Sequence, residues 1–469
     1  MPIYNILNKV INNIPEVQKP LTKLSFKEKL RWTLFVLVAF FILSVIPLYG
    51  LGQNTLSQFT QLSIILGASF GSIMSLGIGP IVTASIVLQL LVGSGILKID
   101  LTTKEGKSYF QGLQKISTLF FIIFEAIVYV FMGGLAPSPT LTLSTYKLMQ
   151  IVLTAQLFLG GLLVLYMDEI TTKWGFGSGV SLFIAAGVSS EVFVRAFSIL
   201  NSSGSVFFGS GLPPVGKVWI LFISLINGDV SNTVLALVTI LSTILVFALA
   251  VYLQALKVEI PLSFGRVRGF GIRWPLNFLY TSNIPVILVA ALMANIQLWA
   301  RLLERWGYPI LGTFSGNTPA TGLVTWVFSP QIANDLILGT FSTSSLFQAL
   351  TYILFMVIGA TIFSIFWMQT AGMDAKAQAK NIMASGLQIP GFRRDERILE
   401  HLLKRYILPL TVMGAIAVGL LASTADLLDA LSRGTGLLLT VMIIYRLYED
   451  IAHQHMMDMH PMLRNIVKK

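Results

Sequence analysis

The sequence predicts an all-α polytopic membrane protein with ten transmembrane helices. Three observations lead there. The 469 residues are 55% hydrophobic and only 11% charged, where soluble domains carry roughly 25% charged residues, and the mean hydropathy is +0.78. Ten stretches reach the ~20 mostly apolar residues that a helical span needs. The basic residues are unevenly divided between the two sides: 26 of the 32 Lys and Arg fall on one and six on the other. That bias orients a membrane protein and puts both termini on the cytoplasmic side, as an even number of spans requires. The net charge of +11 therefore belongs to loops and is no sign of a soluble nucleic-acid binder.

In chain order, residues 1–31 are polar and charged, with no short apolar core and no small-residue cleavage site, so they are not a secretory signal peptide. Ile3, Ile6, Leu7, Val10, Ile11 and Ile14 recur at helical spacing. They form an amphipathic stretch, lying on the membrane surface or packed as a short arm on the body. The spans are 32–52, 75–94, 113–134, 146–167, 178–199, 233–256, 279–300, 344–369, 406–425 and 434–453. The apolar piece 216–226 is too short to cross and closes on Gly228-Asp229, which reads as an interfacial or re-entrant element. A cytoplasmic tail, 454–469, ends the chain.

The span 75–94 is interrupted by Gly77, Gly79 and Pro80. Such a break is tolerated at membrane depth only where it faces protein or a water-filled cavity. Before it lies a weaker, serine-rich stretch from Asn54 to Met74 with no Lys or Arg in 53–74. Ten helices can also be two fives, and a copied five-helix unit is necessarily inverted. Pro80-Ile81-Val82 is echoed by Pro285-Val286-Ile287, and Gly177-Ser178-Gly179-Val180 by Gly434-Thr435-Gly436-Leu437. Short apolar matches also arise by chance. The division falls near 201–215, giving halves 32–205 and 206–453.

Chemistry is sparse. The chain has no Cys, hence neither disulfides nor thiolate metal sites. All four His lie in cytoplasmic segments, and His453 and His455 diverge on a helix, a poor metal pair. Gly175-Phe-Gly-Ser-Gly179 follows no strand and lacks the Lys of a phosphate loop. Glu125 is the clearest intramembrane charge, a functional residue or a helix-packing group. No relay of Asp, Glu or His crosses the membrane. No enzyme chemistry and no cofactor are expected. The basic loops 257–278 and 370–405 carry more charge than orientation needs, and the second suits an anionic partner such as RNA.

Several motifs, in order along almost the whole chain, resemble the SecY family, the large subunit of the protein-conducting channel. They are 76–84 (LGIGPIVTA), 89–95 (QLLVGSG), 177–187 (GSGVSLFIAAG), 257–261 (KVEIP), 282–288 (SNIPVIL), 294–299 (ANIQLW) and 404–413 (KRYILPLTVM). The resemblance, closest to the archaeal and eukaryotic branch, implies two inverted five-helix halves around a central hourglass pore, with a plug at about 54–74. It implies a lateral gate between helices two and three and helices seven and eight. Carried over by motif, the pore ring falls on Ile78, Val82, Val180, Ile184, Ile287 and Leu439. Position 180 is Val where Ile is common. Such a ring seals by dewetting. At the gate, Thr83, Gln89, Asn295 and Gln297 are polar groups in apolar spans. The expected partners are a single-span SecE/gamma subunit, a beta subunit, the ribosome and signal recognition system, signal sequences and nascent polypeptides, and membrane lipids. Arg266, Arg268, Arg393 and Arg394 are the expected ribosomal phosphate contacts. A secondary transporter of a small solute also uses broken helices, and a ribosome-anchoring scaffold would share the basic loops. A transporter needs polar ligands at midplane, where this chain is aliphatic.

Overall fold

The computed structural model describes residues 15–22, 24–54, 68–93, 96–97, 99, 103–201, 205–207, 213–264, 271–281, 284–315, 318–384, 387–388, 395–432 and 434–459. Among these, ten helices of 15 to 32 residues build the body. They are α1 (Phe26–Val45), α2 (Gly79–Gly93), α3 (Lys104–Phe131), α4 (Leu143–Trp174), α5 (Gly179–Phe197), α6 (Val230–Ala255), α7 (Ile284–Arg305), α8 (Thr343–Thr370), α9 (Glu396–Leu427) and α10 (Gly434–Met459). Each predicted span falls on one of them. Helices α3 to α9 are individually long and apolar enough to cross a membrane. Charged residues crowd one end of α1 and of α10. Helix α2, with 15 residues, is about 22 Å long against a ~30 Å hydrocarbon layer.

Helix ends depart from the sequence reading where polar turns run past the apolar window. Helix α3 begins at Lys104 rather than 113, capped by Thr103, whose hydroxyl accepts from the Gly106 N–H. Helix α9 begins at Glu396 rather than 406, with Asp395 as its cap. The apolar piece after residue 215 is a separate helix, Lys217–Asn227, closed by left-handed Gly228 and followed by Asp229, which caps α6.

Small sheets decorate the bundle. Strand β1 (Leu51–Asn54) pairs antiparallel with β2 (Leu135–Pro137). The basic loop read from 257 to 278 contains a hairpin, β3 (Lys257–Phe264) with β4 (Gly271–Asn277), in which Ile260 faces Trp274. A second hairpin joins β5 (Gly312–Ser315) to β6 (Thr318–Gly322), and β7 (Leu387–Gln388) extends the first. Ile260 and Leu276 of that first hairpin are buried against Leu399, Leu403 and Ile407 of α9. This fixes one basic loop on the first turns of the helix that follows the other. The arm before α1 is strapped to the end of α4. Lys173 bonds Glu16 and the Val17 carbonyl, Glu169 accepts from the Val17 N–H, and the Trp174 indole donates to the Gln18 carbonyl. The Lys173 bond holds the Glu16 carboxyl below its ordinary pKa.

The break before α2 is a buried turn. Met74, Ser75, Leu76 and Ile78 are almost fully buried, so each backbone group there needs a partner. Ser72 Oγ accepts from the Met74 N–H, Ser75 Oγ accepts from the Gly71 N–H, and the Gly77 N–H donates to the Met74 carbonyl. Gly77 takes a left-handed φ of 51°, which glycine adopts without cost. Pro80 then stands in the first turn of α2, where a missing N–H removes no bond. The apparent defect in the span is a satisfied turn inside protein.

The two halves repeat a construction that their sequences only hint at. Asp168 on α4 accepts from the Val180 N–H at the start of α5, at 2.9 Å. Asp426 on α9 accepts from the Thr435 N–H at the start of α10, at 3.3 Å. In both cases the fourth helix of a half caps the fifth with a carboxylate, half-buried at Asp168 and buried at Asp426, which suits the positive end of a helix. The glycine echo has the same cause. A Cβ on Gly179 would lie 2.6 Å from Asp168 Cα, and one on Gly434 would lie 2.0 Å from Ala425 Cβ. Five being odd, the two caps sit on opposite faces.

Candidate functional site

The site forms where the two halves meet. Helices α2 and α5 come from the first half, and α7 and α10 from the second. Packing runs from α2 to α7, from α7 to α10 and from α10 to α5. Ile78 and Val82 lie one turn apart at the start of α2, joined by the Val82 N–H to Ile78 carbonyl bond of 3.0 Å. Val180 and Ile184 are one turn apart at the start of α5, Ile287 is in the first turn of α7, and Leu439 is near the start of α10. Five of the six are buried in a single apolar cluster, and half-buried Val180 packs against it. All six carry branched aliphatic side chains, so the junction presents hydrocarbon from both halves and no charge.

Beside this junction the structure brings two of the four polar gate candidates together. Asn295 Nδ2 on α7 donates to Thr83 Oγ1 on α2 at 3.1 Å. Thr83 Oγ1 in turn stands 2.8 Å from the Gly79 carbonyl and 3.2 Å from Glu125 Oε1 on α3. Its single proton serves one acceptor at a time. Glu125 is 5% exposed, and its second oxygen finds no hydrogen-bond partner among the described residues. The chain Glu125–Thr83–Asn295 thus links α3, α2 and α7 across the seam between halves. Sequence reasoning singled out Glu125 as an intramembrane carboxylate but did not connect it to the gate. Its signal was position alone, mid-helix in the third span. Gln89 and Gln297 are both buried, and Gln89 Oε1 has no partner among the described residues. Helix α2 packs on α7 and on α8, closing the seam. Phe124 of α3 also stacks on Trp299 of α7, an aromatic contact that the sequence reading did not select.

Arg266, Arg268, Arg393 and Arg394 lie outside the described residues, as do 55–67 of the plug stretch and the amphipathic segment 1–14. No cluster of metal-ligating side chains occurs among the described residues.

This arrangement can be compared with known proteins. The family model described as SecY matches residues 72–448, and the one described as the plug domain of Sec61p matches residues 38–71. The chain belongs to the SecY family. The protein translocase subunit SecY of Methanothermobacter thermautotrophicus is 43% identical, over 99% of this chain and 98% of its own length. A solved structure described as that of a protein conducting channel superposes with a TM-score of 0.82 at 41% identity, covering 97% of this chain and 98% of that one. Sec61 in the canine ribosome-channel complex from the endoplasmic reticulum gives 0.79 at 40% identity, with the same two coverages. The SecY match begins at Ser72, the first residue of the buried turn, and the plug match ends at Gly71. The plug-family match thus covers the last residues of α1 as well as most of the stretch from 54 to 74 expected to hold the plug. The fold is that of a multi-pass channel subunit, ten helices in two inverted halves, and not of an enzyme.

Proposed function

We propose that this SecY family member is the pore-forming subunit of a protein-conducting channel, passing unfolded secretory chains across the membrane and releasing apolar segments sideways into lipid. The observation that carries the reading is the aliphatic junction of α2, α5, α7 and α10, drawn from both halves. Six branched hydrocarbon side chains make a neck that water and ions avoid yet contain nothing rigid enough to stop an extended chain. The pore ring is Ile78, Val82, Val180, Ile184, Ile287 and Leu439. The Thr83–Asn295 bond, with Glu125 behind it, is the polar clasp of a lateral gate. Interhelical polar contacts in membranes average about 0.6 kcal/mol, weak enough for an entering signal helix to compete. Gln89 and Gln297 flank that seam. The aliphatic midplane disfavours a small-solute transporter, which needs polar ligands there.

The protein resides in the plasma membrane with both termini in the cytoplasm. It works with a single-span SecE/gamma subunit and a beta subunit. The halves are 32–205 and 206–453. Photoreactive probes at Val82 and Ile287 are expected to crosslink a stalled secretory chain. Absence of crosslinks in a correctly targeted complex rejects the conduit and leaves the scaffold reading.

The basic hairpin loop and the 370–405 loop dock on the ribosome. Reversing Arg266, Arg268, Arg393 and Arg394 together to Glu is expected to weaken ribosome binding. The unmodified channel's affinity should fall steeply with salt, and the variant's less so, because each phosphate neutralised adds ~0.7–0.9 to the log–log slope. Equilibrium binding across a salt series measures both, and an unchanged slope would remove these arginines from the interface.

A further inference from the structure

The seam has a second layer, separate from the Thr83–Asn295 clasp. On α7, Ala294, Leu298 and Leu302 recur every four residues and are buried. They enter an apolar cluster otherwise built from the first half, including Ile122, Ala126 and Tyr129 of α3. At the rim of this layer Trp299 of α7 stacks on Phe124 of α3, with ring centroids 5.7 Å apart and planes at 29°. Phe124 is 39% exposed, so the pair lies at the surface of the seam rather than in its depth. No charged group takes part in the stack.

We propose that the Phe124–Trp299 stack sets how apolar a segment must be before the channel admits it. The proposal rests on reading the α2–α3/α7–α8 seam as the gate. Parting α3 from α7 breaks both layers, and the two losses differ in kind. Breaking the Thr83–Asn295 bond costs the same whichever apolar or weakly polar segment arrives. Unstacking Phe124 and Trp299 bares two aromatic faces, which the side chains of an entering apolar segment cover and those of a weakly polar one cover poorly. The difference between admitting a strong and a weak segment therefore grows with the aromatic surface, and specificity is such a difference. A segment shifts the gate only by its differential affinity for the open state. An offset-stacked aromatic pair contributes roughly a 2- to 12-fold bias towards the closed state beyond its buried area.

The test uses the complete channel in proteoliposomes and a series of secretory precursors whose signal cores grade from leucine-rich to alanine-rich. In Trp299→Ala, translocation of the weakest precursors is expected to rise roughly 2- to 12-fold, while the strongest stay unchanged, so discrimination flattens. Trp299→Phe keeps a ring and should fall between the two. Thr83→Ala should ease all grades alike and leave the slope intact. A Trp299→Phe and Trp299→Ala pair that both keep the unmodified profile, or both lose translocation equally at every grade, overturns the stack as selector while the Thr83 result preserves the gate. If Thr83→Ala also changes nothing and the unmodified channel does not discriminate, the gate reading falls and this inference with it.

Discussion

Alanine at Gly160 is expected to destabilise the protein by about 2 kcal/mol, and alanine at Gly161 by less. The two glycines are neighbours on α4 and both are buried. A Cβ at Gly160 would stand 2.0 Å from the carbonyl oxygen of Ile73. That oxygen belongs to the turn before α2, and its residue is tied by the Ile73 N–H to the Ile46 carbonyl at 3.0 Å. Backbone fixed in this way cannot swing aside, so the overpacking cost sits at the top of the usual ~1–3 kcal/mol. Replacing glycine by alanine inside a helix returns up to ~1 kcal/mol, which leaves the net loss. At Gly161 the nearest atom is the Ile122 Cγ2 methyl at 2.6 Å; this buried, β-branched side chain yields only by a small shift of its helix, but the approach is less close than to the Ile73 oxygen and the helix gain offsets part of the clash. Denaturant or thermal unfolding of the purified protein compares the two. A loss at Gly160 no larger than that at Gly161 would contradict this account. The consequence should reach function if the proposed ring is right, since the same turn positions Ile78.

Much of this fold was legible because membrane spans obey a coarse rule. Ten apolar windows and the placement of Lys and Arg needed no tertiary information. What the hydropathy window cannot see lies at its edges, as where α9 starts at Glu396. The β3–β4 hairpin was missed although its signal is present. Val258 and Ile260 alternate with Lys257 and Glu259, and Trp274 and Leu276 alternate with Arg273 and Asn277, a period of two. The high charge of the loop masks that periodicity. At the site, polar residues in apolar spans were visible as oddities, but pairing was not. Thr83 and Asn295 are separated by 212 residues, and nothing local fixes which of four polar groups meet. Phe124 and Trp299 were invisible for the opposite reason, since aromatic residues are ordinary in a membrane protein.

The paired caps carry the inversion further than the sequence echo did. Asp426 also accepts from the Tyr352 hydroxyl of α8, at 2.5 Å, so the second-half cap reaches the helix that packs on α2 at the seam. On the first half, Ser178 Oγ lies 3.5 Å from Asp168, within its own hairpin. Between α5 and the turn ahead of α10, Glu191 accepts from Ser432 Oγ at 2.6 Å. In the proposed gate reading, the contact at Glu191 joins the halves by a charged group and a hydroxyl, while the seam adds the buried Ala294, Leu298 and Leu302 to the polar clasp and the aromatic stack.

Serine at both Val82 and Ile287 is expected to make the channel leak ions. The two residues come from opposite halves, and each is under 10% exposed within the aliphatic cluster. A hydrocarbon neck excludes ions because water there has no polar partner. A hydroxyl from each half supplies one and removes part of the ~1.5–3 kcal/mol per side chain that favours a dry contact. Every 1.4 kcal/mol taken from that barrier is about tenfold, so efflux from loaded proteoliposomes should rise at least about tenfold. Val82→Leu keeps the neck apolar and should stay tight. Val87→Ser, on the exposed side of α2, alters the same helix without touching the ring and should stay tight as well. The plug-family match covers 38–71, so the measurement is made in the full chain and again with residues 58–67 deleted, where the ring is the remaining barrier. In that shortened chain the serine pair and Val87→Ser must differ. Equal efflux would mean that the aliphatic junction packs the halves together without sealing a pore.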